Sequence, residues 1–89
     1  MLGNVLKIED VKSEIGLLVK TVRRRKSISQ TSLAEKLNVS RITIKNLESG
    51  KNFTIDTLLK VMQHLDLMKS FFEFINDKRE QNENVKSLY

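Results

Sequence analysis

The sequence predicts an all-α fold of five helices. Three observations predict it. The 89 residues contain no proline and three glycines. Apolar residues recur at intervals of three and four almost throughout, the spacing that makes one face of a helix. No apolar–polar alternation runs long enough for a strand.

The elements follow in order. Ile8, Val11, Ile15, Leu18 and Val22 form a stripe along a first helix, which ends in Arg23, Arg24, Arg25 and Lys26, where cations suit the C-terminal dipole. Ser27-Ile28-Ser29 breaks the pattern, and Ser29 is a good N-cap for a short helix from Gln30 to Leu37 with Leu33, Ala34 and Leu37 inward. Asn38 tolerates left-handed φ/ψ and can close that helix with a tight turn. Ser40 caps a third helix from Arg41 to about Ser49, with Ile44 and Leu47 inward, and Gly50 stops it. After a loop at Lys51-Asn52-Phe53, Thr54 caps a fourth helix whose inward face is Ile55, Leu58, Leu59, Met62 and Leu65. A last helix from Met68 to Lys78 carries Phe71, Phe72, Phe74 and Ile75. Residues 1–78 thus form one domain, and the polar segment 79–89 is expected to be a flexible tail.

Composition narrows the function. Without cysteine and with one histidine, disulfides and the usual zinc sites are excluded, and no metal or other cofactor is expected. No apolar run approaches the ~18 residues of a membrane span, and no signal peptide is legible at the N-terminus, so a soluble, cytoplasmic protein without a membrane partner is expected. His64, between Met62 and Leu65, reads as a boundary residue; without a usable histidine no nucleophile–base set can be assembled, and an enzyme is not expected. The net charge of +5 is unevenly placed. Nine Lys or Arg lie between Lys20 and Lys51, opposed only by Glu35 and Glu48, whereas the flanking segments are slightly acidic. A concentrated basic surface suits a polyanion, although charge alone also fits a solvated face.

The spacings counted from Gln30 carry the functional reading. Two helices crossing steeply after a short turn need a small residue where they approach, which is Ala34. Leu33, Leu37, Val39, Ile44 and Leu47 form the wedge that sets their angle, leaving the outer face of the second helix free to enter a groove. That face reads Ser40, Arg41, Ile42, Thr43, Lys45, Asn46 and Ser49. Arg can grip guanine O6 and N7, Asn can grip adenine N6 and N7, and an exposed Ile42 would find a partner in a thymine methyl. The other reading of Arg41, Lys45 and Asn46 is an ordinary solvated face, and of Ile42 simple packing. Glu48 reads as structural, pairing with the first helix.

The stretch Ser29–Leu37, Asn38–Ile44 and Leu47-Glu48-Ser49-Gly50-Lys51, continuing through Asp56–Met62, resembles the Cro/C1-type (Xre-family) helix-turn-helix of phage repressors and bacterial regulators. It is especially similar to small HipB-like antitoxin-regulators and somewhat similar to restriction-modification controllers. The resemblance implies a compact, lambda-repressor-like domain with its helix-turn-helix at 29–49. It implies base contacts from Ser40, Arg41, Ile42, Lys45 and Asn46, and backbone contacts from Ser29, Gln30, Thr43, Lys51 and Asn52. From the basic run at the end of the first helix, Arg25 joins the backbone set, with a solvated helix end as the other reading. The chain departs from the family pattern at Asn38, where Gly is common, and at Phe53, where many members have Pro.

The resemblance and the basic middle together lead to the expectation of a transcriptional regulator, an autorepressor acting on a palindromic double-stranded operator. Phe71, Phe72, Phe74 and Ile75 sit too close together for all to face one small core, so a homodimer interface is expected there, with extra core as the alternative. A toxin partner, as for an antitoxin, and a restriction-modification controller are the other functions the resemblance leaves open.

Overall fold

The computed structural model describes residues 5–87. Five helices follow in order: α1 (Ile8–Arg25), α2 (Gln30–Leu37), α3 (Arg41–Glu48), α4 (Ile55–His64) and α5 (Met68–Ser87), with no strand among the described residues. The all-α class is the one the spacing predicts. The side-chain caps form where expected. The hydroxyls of Ser29, Ser40 and Thr54 accept from the amides of Ser32, Thr43 and Thr57 at 3.0, 3.1 and 3.1 Å, each satisfying a free first-turn donor. At α1 the arrangement differs: the Lys7 amide donates to the carboxylate of Asp10 at 2.9 Å.

One device ends the first four helices. Ser27, Asn38, Gly50 and Asp66 all take positive φ, between 57° and 76°. The amide of the following residue then reaches back five positions, from Ile28 to Arg23, Val39 to Ala34, Lys51 to Asn46 and Leu67 to Met62. This pairs carbonyls that a helix end leaves open, and it reverses the chain within a few residues. In three of the four turns the closing residue is apolar, and Ile28, Val39 and Leu67 pack against the core.

The core itself is Val19 and Val22 of α1, Leu33 and Ala34 of α2, Ile44 and Leu47 of α3, Leu58, Val61 and Met62 of α4, and Leu65. Leu33, Ile44 and Leu47 are fully withdrawn from solvent, and Leu37 and Val39 pack against them. The α2–α3 wedge is therefore the centre of the fold. Helix α1 crosses α3 closely enough that a Cβ on Gly16 would lie 2.7 Å from the carbonyl oxygen of Leu47, and closer still to that of Glu48.

Three expectations need correction. On α1 the buried positions are Gly16, Val19, Val22 and Arg23, with Ile15 partly buried, whereas Ile8, Val11 and Leu18 are exposed. The close approach at Gly16 fixes which face of α1 meets α3, and the apolar stripe lies beside that face. On α4, Val61 replaces Ile55 in the core; Ile55 is exposed and, with Leu59, faces a groove completed by Met68, Phe71, Phe72 and Ile75. Finally, α5 does not stop at Lys78 but continues to Ser87, residues 88 and 89 of the expected tail lying outside the described residues, as do 1–4. Its polar extension contains no helix breaker and is laced by local pairs: Arg79 with Glu83 and with Asn76, both at 2.8 Å, and Asn82 with the Lys78 carbonyl at 2.8 Å. High polarity there reads as a solvated helix as readily as a tail.

Candidate nucleic-acid interface

Helix α3 turns two different faces to its surroundings. Ile44 and Leu47 are buried, while Arg41, Ile42 and Lys45 are exposed, Ile42 at 68%. Thr43 and Asn46 are half-buried at the flanks. Ser40 stands at the N-cap, where its hydroxyl accepts from the Thr43 amide and shares a hydrogen bond with the Thr43 hydroxyl at 2.8 Å. At the other end, the Ser49 hydroxyl donates to the Lys45 carbonyl. The short αL turn at Asn38 sets α3 across α2, so the exposed face projects from the body of the domain.

The one acid of α3, Glu48, is absent from this surface. It is buried and receives the Nε and Nη2 of Arg23 from α1 and the Nε2 of Gln30 from α2, the latter two at 3.0 and 2.9 Å onto the same oxygen. Arg23 also donates through Nη1 to the carbonyl of Ile28 in the α1–α2 turn at 2.8 Å. Burial opposes the charge on Glu48, but hydrogen bonds from Arg23 and Gln30, reinforced by the charges of Arg23 and Lys20, outweigh it and hold the carboxyl below its ordinary value of 4.5. The network locks three helices together at the C-terminal end of α3 and leaves its exposed face with two cations and no anion. Glu48 is thus structural, as its position suggests, and Arg23, one of the four basic residues ending α1, is committed to the interior.

Ser29, Gln30 and Arg41 come together around one cleft at the start of α2. Lys51 and Asn52 are exposed in the loop after α3, with Asn52 Oδ1 accepting from Lys12 of α1 at 2.8 Å. Arg25 is exposed but does not line the cleft, and Lys26 pairs with Asp66 at 3.0 Å. Phe72, Phe74 and Ile75 are exposed on α5, which packs on α4 rather than on the motif, and Phe71 is half-buried against the core.

One feature escapes the sequence reading, and a second extends the basic run that it singles out at the end of α1. Gly16 is a contact point between helices; glycine within a helix costs about 1 kcal/mol relative to alanine, and that cost is the signal of a close approach. Lys20 and Arg24, four apart and so on one face of α1, line the cleft beside Gln30 and Arg41. Arg24 belongs to the basic run already singled out, and Lys20 lies one turn before it.

Comparison with known proteins agrees with the fold. A family model described as Helix-turn-helix matches residues 19–68. The chain is 29% identical to "Antitoxin HipB" of Escherichia coli (strain K12) over 72 residues, which cover 80% of this chain and 82% of that protein. It is 45% identical over 51 residues to the "Putative HTH-type transcriptional regulatory protein" of Methanocella arvoryzae, covering 57% of this chain but 16% of that much longer relative. No helix among the described residues is long and apolar enough to cross a membrane.

Proposed function

The chain belongs to the helix-turn-helix family, of the Cro/C1 type, and from that premise we propose that it is a transcriptional regulator which binds double-stranded DNA sequence-specifically through α3 in the major groove. The observation that carries this is the composition of the exposed α3 face. Arg41, Lys45 and a largely exposed Ile42 stand together, and the only acid of the helix is withdrawn and paired. Arg41, Lys45 and Asn46 choose the site, with Ser40 and Ile42 in support. Ser29, Gln30, Thr43, Lys51 and Asn52 hold the backbone. The protein acts in the cytoplasm as a homodimer on a palindromic operator and represses its own promoter. The exposed Phe72, Phe74 and Ile75 support the dimer, since contiguous apolar surface marks association.

Selection of bound duplexes from a random pool tests the reading: a two-fold-symmetric motif is expected. Arg41→Ala should cost about 1–3 kcal/mol on that site and relax discrimination at one position. Equal affinity for the selected and a scrambled duplex at moderate salt would defeat the proposal.

A second reading has a specific observation in its favour. Similarity to "Antitoxin HipB" extends over most of both chains. On this reading the protein also neutralises a toxin partner and represses jointly with it. Co-purification of a toxin with the full chain, lost on altering Phe72 and Phe74, would support it.

A further inference from the structure

Helix α1 is drawn onto α3 by the close approach at Gly16, whereas α5 packs on α4. Between α1 and the α4–α5 pair lies a cavity of about 150 Å³. Val19 of α1 and Leu58 and Met62 of α4 form its floor, each no more than 7% exposed. Ile15, Leu18 and Phe71 form its rim, the first and last half-buried and Leu18 exposed. No polar atom faces the space. The cause lies in the setting of α1. Gly16 turns one face of that helix to α3, so Ile15 and Leu18, beside that face, overhang the joint of α4 and α5 without filling it.

The walls define what the cavity can hold. A bound water needs several polar partners and would find none here. Side chains around such a gap forgo dispersion contacts on one side, and an apolar molecule would supply them. The volume is well below that of a drug-sized pocket, and it matches the roughly 150 Å³ at which an engineered apolar cavity admits benzene. Two lining residues narrow the chemistry further. The Phe71 ring favours a second ring set edge-on or offset, and the polarisable thioether of Met62 favours an aromatic edge.

We propose that this cavity is a binding site for one small, uncharged aromatic molecule of about the size of toluene, seated between α1 and α4 and capped by Phe71. Entry is past Leu18, the exposed residue of the rim. Phe71 also lines the groove between α4 and α5. One ring is thus a wall of both spaces, and an occupant of the cavity fixes the side of the groove next to Phe72 and Ile75. No residue of α3 lines the cavity, and the site stands whether or not the chain binds DNA.

The test uses the full chain without DNA and toluene as the probe. Thermal denaturation followed by circular dichroism should show the melting temperature rising by several degrees once toluene exceeds its dissociation constant about tenfold, because the ligand binds the folded state alone. Sodium benzoate, the same ring with a charge, should leave it unmoved. Methyl NMR of the wild type should place the toluene-induced shifts at Leu18, Val19, Leu58 and Met62. Leu18→Phe changes an exposed position and lays a ring over the mouth, so the toluene response should disappear. Ile55→Ser, in the groove on the other side of Phe71, should keep it. A wild type with neither a rise nor methyl shifts would overturn the site, as would a folded Leu18→Phe that responds like the wild type. Shifts confined to Ile55, Leu59 and Ile75 would place toluene in the groove and overturn the cavity. An equal response to benzoate would mark a non-specific effect with the same consequence. A response that fades as protein concentration rises would give the space to a side chain of a second copy and overturn the ligand.

Discussion

Leu33, Ile44 and Leu47 lose all contact with solvent in α2 and α3, whereas Phe72, Phe74 and Ile75 of α5 keep half or more of their surface exposed. The two regions use their apolar residues in opposite ways. In the first, the apolar wedge is consumed internally, and what reaches the surface is cationic. In the second, a groove between α4 and α5, lined by Ile55, Leu59, Met68, Phe71, Phe72 and Ile75, stays open, and Lys78 sits 5.8 Å from the centre of the Phe74 ring. The family match ends at residue 68, where the second region's helix begins. The difference teaches that the motif's apolar side chains are spent on the domain core, whereas the α5 end leaves an apolar groove open to solvent.

The comparison can be broken most forcefully at Glu48. Its side chain is 3% exposed and Arg23 is 8% exposed, so Glu48→Ala leaves a buried guanidinium unpaired and should destabilise by about 3–5 kcal/mol in chemical denaturation. Replacing Arg23 by Met and Glu48 by Leu together should cost less than Glu48→Ala alone, because no unmatched charge then remains. The same carboxyl makes the motif acid-sensitive. Its pKa is lowered on folding, so its stabilisation is complete above the ordinary value of 4.5 and is lost as pH falls below that and passes through the folded pKa. Stability of the wild type should decline in that range more steeply than that of the double variant. A parallel decline would remove Glu48 from the account.

Gly16→Ala is the next largest. The new methyl would collide with the backbone carbonyls of Leu47 and Glu48, which cannot swing aside as a side chain could, and a loss of about 1–3 kcal/mol is expected. Because α3 would be displaced, DNA affinity should fall as well. The smallest effect on stability is expected from the other region. Phe72→Glu with Phe74→Glu alters exposed positions and should shift monomer stability by no more than about 0.5 kcal/mol per site. Light scattering should nonetheless show a fall from dimer to monomer mass. A dimer mass that survives would move the interface elsewhere.

The motif was readable because its constraints are local. The steps from Gln30 through Ala34, Asn38 and Leu47 each answer to one steric need, and the caps at Ser29, Ser40 and Thr54 act within three residues. What remained hidden depends on distance. The apolar stripe of α1 admits more than one rotation, and only the approach of α3 to Gly16 selects the face that is buried. Likewise Ile55 satisfies the periodicity of α4 but faces a groove, because α5 leaves it uncovered. Gln30 reaches Glu48 across eighteen positions, and Lys20 meets Arg41 only after three helices have assembled. No spacing within a single helix encodes such encounters.

The turns at the ends of α1, α2 and α4 place Ser27, Asn38 and Asp66, rather than glycine, in the left-handed region. Such a conformation costs an ordinary L-residue roughly 1–2 kcal/mol, which glycine avoids at the expense of a looser unfolded chain. Asn suffers least, so Ser27 is the position with headroom, and Ser27→Gly should raise the denaturation midpoint modestly. Such a substitution lies outside both the reading face and the aromatic groove. The linkers, usually regarded as passive, are therefore where this fold could be hardened without retuning what it recognises.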